Sequence, residues 1–136
     1  MSLANEFGKY VSANRMKRWL SKLFAFASAM TFVSLAGAHA FLDHATPAVG
    51  SAVRASPTQV KLWFTQELEP AFSSVRVMDR SGKQVDKGDP QVDRADATLL
   101  QVSLPQLAAG TYRVAWRVLS VDTHVTEGDF TFDVVP

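Results

Sequence analysis

No cysteine occurs in the 136 residues. That excludes a disulfide framework, a thiolate metal site and a cysteine nucleophile. Methionine is almost as scarce after the first thirty residues, where Met78 stands alone, so no thioether cluster can be built there. No stretch shows the 3.6-residue apolar period of an amphipathic helix, and no low-complexity tract or internal repeat is present. The chain also lacks a G-x-S-x-G elbow, a P-loop and a glycine-rich dinucleotide turn, which leaves the commonest hydrolase and nucleotide chemistries without their parts. The one long run that is both uncharged and predominantly apolar without a proline or glutamine is Leu23 to Ala38, "LFAFASAMTFVSLAGA".

Charge is scarce in one sign by region. The formal net charge is +1. From His39 onward nine Lys and Arg face twelve Asp and Glu, a net of −3, whereas the first 38 residues hold five bases and one acid. A mildly acidic body behind a basic leader is a poor nucleic-acid binder, and none is expected as a partner.

The leader has the parts of a secretory signal peptide. "MKRWLSK" from Met16 is a short basic region, and the uncharged run after it ends in small residues. A membrane-spanning helix needs about 20 apolar residues, and this run is shorter and broken by Ser28, Thr31, Ser34 and Gly37. Residues 1–15 fit no part of a signal peptide and read as a start-site extension. The expected division is therefore 1–15 extension, 16–38 signal peptide and 39–136 exported domain, with no membrane insertion of the mature part. Two cuts satisfy the small-residue rule: after Ala38, before His39, and after Ala40, before Phe41.

What remains alternates with period two. "QVKLWF" puts Val60, Leu62 and Phe64 on one face, and "SSVRVMD" does the same with Val75 and Val77. "TLLQVSL" offers Leu100, Val102 and Leu104. "TYRVAWRVL" sets Tyr112, Val114, Trp116 and Val118 against Thr111, Arg113, Ala115 and Arg117, and "DFTFDVV" points Phe130, Phe132 and Val134 inward. Turn signals such as "TPAVGS", "DRSGKQ", "KGDPQ" and "LAAG" separate these runs. The expected fold is all-β: a small Greek-key barrel or sandwich of immunoglobulin or cupredoxin type, antiparallel because no crossover helix is visible.

Histidine is rare, and its three positions are His39, His44 and His124. Asp122 and His124 stand two apart, which on an extended backbone puts both side chains on one face with bases roughly 6 to 7 Å apart. A cut before His39 would add a free α-amine beside an imidazole, a bidentate chelate. Nitrogen and oxygen donors without sulfur favour Cu(II) over Cu(I), and divalent affinities peak at copper. On its own the D-x-H pair is a weak signal, because a loop carboxylate often does no more than hydrogen-bond a surface imidazole. His44, beside Asp43 and ahead of Pro47, reads as solvated. The acids between Asp79 and Asp96 read as a solvated loop, and Trp116 as core.

At this point the residues carry a resemblance. "HAFLDHATPAVGS", "VKLWFTQELEPAFSSVRVMD" and "AGTYRVAWRVLSVDTHVTEGDFTFDV" together resemble the CopC family of exported copper-binding proteins over the whole of 39–136. The most specific piece is similar to the family pattern Y-x-V-x-W-x-V-x-S-x-D-x-H-x-x-x-G-x-x-x-F. The resemblance implies a small Greek-key β-barrel, a cut before His39, a periplasmic location and a role in copper buffering, transport or resistance. It implies one Cu(II) per chain, held by His39 through amine and imidazole, by Asp122 and by His124. It also implies a CopD-type inner-membrane copper transporter as partner, and no catalytic residue.

Two departures stand out. The methionine-rich loop of some members reads "DRSGKQVDKGDPQVDRADA" here, which points to a Cu(II)-only form. Gln66, followed by Glu67, stands where relatives often carry Glu, and Thr123 and Glu127 are candidates for supporting the ligands. Two alternatives come from other classes. One is a copper mono-oxygenase-like enzyme with an N-terminal histidine brace, which an oxidase assay would reveal. The other is a metal-free immunoglobulin-like interaction module, which metal analysis would reveal.

Overall fold

The computed structural model describes residues 39–136, so the expected signal peptide and the extension before it lie outside the described residues. Eight strands form in chain order: β1 (Leu42–Thr46), β2 (Ala52–Val53), β3 (Gln59–Phe64), β4 (Ser74–Met78), β5 (Gln91–Val92), β6 (Leu99–Ser103), β7 (Gly110–Leu119) and β8 (Val125–Val134). They build two four-stranded sheets with orders β1-β3-β6-β5 and β2-β8-β7-β4. The all-β expectation holds, and a single 3-10 turn at Pro70–Phe72 is the sole helical element among the described residues.

The alternating runs became the strands, and their apolar faces became the core. Val60, Leu62, Phe64, Val75, Val77, Leu100, Val102, Tyr112, Val114, Val118, Phe130, Phe132 and Val134 are all buried between the sheets. Burying such side chains is the main favourable term, worth about 1.5–3 kcal/mol for each large one. Trp116 is only partly buried, packed against the core edge-on to Phe64 with ring centroids 5.1 Å apart. Leu68 and Leu107 join the core from loops, where no alternation marked them.

One pairing differs from the expectation that every neighbour runs antiparallel. β2 pairs with β8 in parallel, Ala52 opposite Asp133 and Val53 opposite Val134. A crossover helix is needed only when consecutive strands lie in one sheet. Here β1 and β3 are in the other sheet, and the chain reaches β2 simply by switching layers.

The glycine of the recurrent pattern has a steric cause. Gly128 lies opposite Trp116 in the β7–β8 ladder. A Cβ on it would stand 2.6 Å from Cζ2 of the indole. Gly128→Ala is therefore expected to destabilise the fold by about 1–3 kcal/mol, the usual cost of overpacking. Chemical denaturation measures it; an unchanged midpoint would show that the ring swings aside freely.

Candidate metal centre

β7 and β8 are joined by the tight turn Ser120–His124, and this turn builds half of the site. Ser120 is fully buried. Its amide donates to the His124 carbonyl at 3.0 Å, and its own carbonyl accepts from the Thr123 amide at 2.8 Å. Thr123 carries φ of 75°. That left-handed conformation is costly for a β-branched residue and occurs where the surroundings over-determine it. Asp122 and His124 thus sit on a reversal rather than on the extended backbone expected for them. In this turn Nδ1 of His124 stands 3.3 Å from Oδ2 of Asp122.

The two oxygens of Asp122 are in different situations. Oδ1 takes a short hydrogen bond from the Ser120 hydroxyl. Oδ2 is buried without a hydrogen-bond partner of good geometry, with Nδ1 of His124 standing 3.3 Å away. A buried acceptor without a donor costs free energy unless something satisfies it, and a cation would do so. The Ser120 hydroxyl is the largest cause holding the Asp122 carboxyl below the usual carboxylate range. Partial burial opposes it, and the imidazole and amide of His124 reinforce it.

His39 completes the gathering from the far end of the described chain. Its ring stands 4.5 Å from the ring of His124, centroid to centroid, tilted by 54°. The three residues singled out in the sequence are therefore neighbours in space. Among the described residues no three His, Asp or Glu side chains already close on one point as a metal set. The arrangement collects donors without caging an ion.

Other candidates fall outside it. His44 stacks on Trp63 at 4.4 Å and 9° and bonds Asp43 at 2.8 Å, which accounts for its ring without an ion. Glu127, a candidate for supporting the ligands, faces Arg117 at 3.8 Å, both largely exposed. Thr123 acts through the turn it makes, and Glu67 through its backbone, whose carbonyl accepts from the Val121 amide at 3.1 Å. Sequence reading missed Ser120 as the carboxylate's partner. It also missed the residues that hold the segment 39–41. A serine two before the aspartate was a visible signal for the first; nothing local marked the second.

The family model described as "CopC domain" matches residues 42–135. Protein YobA of Escherichia coli strain K12 is 36% identical over 98 residues, covering 71% of this chain and 79% of its own. Copper resistance protein C of Pseudomonas syringae pv. tomato is 36% identical over 121 residues, covering 80% and 90%. The crystal structure of CopC from Methylosinus trichosporium OB3b superposes with a TM-score of 0.68 at 42% identity, over 72% of this chain and 95% of that one.

Proposed function

Because this chain belongs to the CopC family, we propose that its exported form, cut before His39, is a periplasmic protein that binds one Cu(II) for buffering or transport. The ligands are the α-amine and imidazole of His39, the carboxylate of Asp122 and the imidazole of His124. The observation that carries this reading is the contact of His39 with His124, at 4.5 Å, beside the unsatisfied Oδ2 of Asp122. All the donors are nitrogen or oxygen, which suits Cu(II) and not Cu(I).

The place of the cut has physical support in the fold. Ala40 is fully buried in the core. Residue 39 is thus the first outside that anchor. A cut before Phe41 would remove the anchor together with the chelate. Copper is cargo here: the protein has no catalytic residue, and the partner in transfer is a CopD-type membrane transporter. No helix among the described residues is long and apolar enough to cross a membrane.

The choice of oxidation state is open to direct test. Mature protein titrated against competing chelators is expected to retain one Cu(II) per chain and to surrender Cu(I) completely. Retention of Cu(I) would reveal a soft site and contradict the reading. With a reductant and oxygen, no turnover of polysaccharide is expected.

A further inference from the structure

An N-terminal chelator faces a difficulty of its own. The first residues of a chain fray unless something ties them down, and a loose end must be ordered when the ion arrives. In this chain the end is tied. Ala40 is 0% exposed, with its methyl among the core side chains. Its carbonyl accepts from Oγ1 of Thr126 at 2.6 Å. Phe41 donates its amide to Oγ1 of Thr65 at 3.0 Å, and its carbonyl accepts from the Thr65 amide at 2.9 Å. The same Thr65 hydroxyl donates to the His39 carbonyl at 3.3 Å. Thr65 follows β3 directly, and Thr126 lies on β8 two residues after His124. The carbonyl of His39 is therefore held from one sheet and that of Ala40 from the other. The imidazole of His39 is left 4.5 Å from that of His124, centroid to centroid.

We propose that Thr65 and Thr126 form a hydroxyl clamp, with Ala40 as its plug, that positions His39 for the ion before the ion binds. This rests on the Cu(II) reading above. Both threonines are positioning residues and touch no metal. The clamp turns a frayed end into a pre-organised one, so little ordering remains to be done on binding.

The test uses mature protein beginning at His39, with Thr126→Val, Thr126→Ser and Thr65→Val. Valine removes the hydroxyl at similar size; serine keeps it. Thr126→Val and Thr65→Val are each expected to weaken Cu(II) binding about 10–100-fold, the usual effect of losing a partner that orients a ligand. Thr126→Ser is expected to restore it. A merely structural role would lower the melting temperature and leave the Cu(II) spectrum alone, so electron paramagnetic resonance of each loaded variant is recorded. Backbone ¹⁵N relaxation supplies a readout without metal: Ala40 is expected to be rigid in the wild type and mobile on the ps–ns scale in Thr126→Val. Wild-type affinity and spectrum in both valine variants, with a rigid Ala40, would overturn the clamp. A wild type that binds no Cu(II) would overturn the copper reading instead, and the Ala40 relaxation would still decide whether the clamp exists.

Discussion

Replacing His124 or Asp122 by Ala in the mature protein is expected to cost at least about a hundredfold in Cu(II) affinity, more than losing an orienting partner costs, while the fold persists. Each change removes one donor from a small set. Neither residue is in the core, which is built from Leu62, Leu100, Val114, Phe132 and their neighbours. The turn itself hangs on Ser120 and Thr123 backbone bonds that both variants keep. Competition titration reads the affinity and thermal melting reads the fold. His44→Ala is the control and is expected to leave affinity unchanged, since its ring is engaged by Trp63 and Asp43. Loss of binding in His44→Ala with Asp122→Ala silent would move the site into the N-terminal segment alone.

Acid should release the ion, because metal ligands must be deprotonated to bind. Asp122 has its pKa lowered in the fold, first by the Ser120 hydroxyl. A depressed pKa means that its contribution to stability is present above the unfolded value and fades as pH falls through the folded one. The carboxylate therefore keeps its charge below the ordinary carboxylate range. Nitrogen donors must be unprotonated to bind, so Cu(II) affinity is expected to fall as pH drops, which titration at several pH values checks.

The second large effect attaches to the start of the mature chain. Protein that still carries the residues before His39 offers an amide there in place of an amine, and an amide is no comparable donor. Its Cu(II) affinity is expected to fall by at least about a hundredfold, again beyond the loss of an orienting group. A chain beginning at Phe41 should do worse in two ways. It loses the imidazole as well, and it leaves the Ala40 place in the core unfilled, so its melting temperature drops. Titration and melting of the three forms side by side check this. Equal affinity in the uncut and cut forms would remove the amine from the ligand set.

How much of this was legible beforehand follows from where each feature is encoded. Alternation is local, and it marked β3, β4, β6, β7 and β8 with the correct inward faces. The proposed ligand types were legible because amine, imidazole and carboxylate in an otherwise histidine-poor chain are chemically conspicuous. The turn that unites Asp122 and His124 was not, because a threonine at positive φ follows no propensity; the surroundings impose it. The clamp was not, because Thr126 and Ala40 meet only through the packing of β8 against the N-terminal segment. Trp63 likewise looked like any strand residue until its pairing across from His44 gave it a stacking partner. The parallel β2–β8 pair, two residues long, was too short to leave a pattern.

The central claim is tested most directly by electron paramagnetic resonance of Cu(II) bound to exported protein whose intact mass places its first residue at His39. The account predicts one Cu(II) per chain in a tetragonal, nitrogen-rich site, and a spectrum that changes when the α-amine is chemically blocked. A spectrum of solvated copper, or one indifferent to blocking that amine, would contradict it.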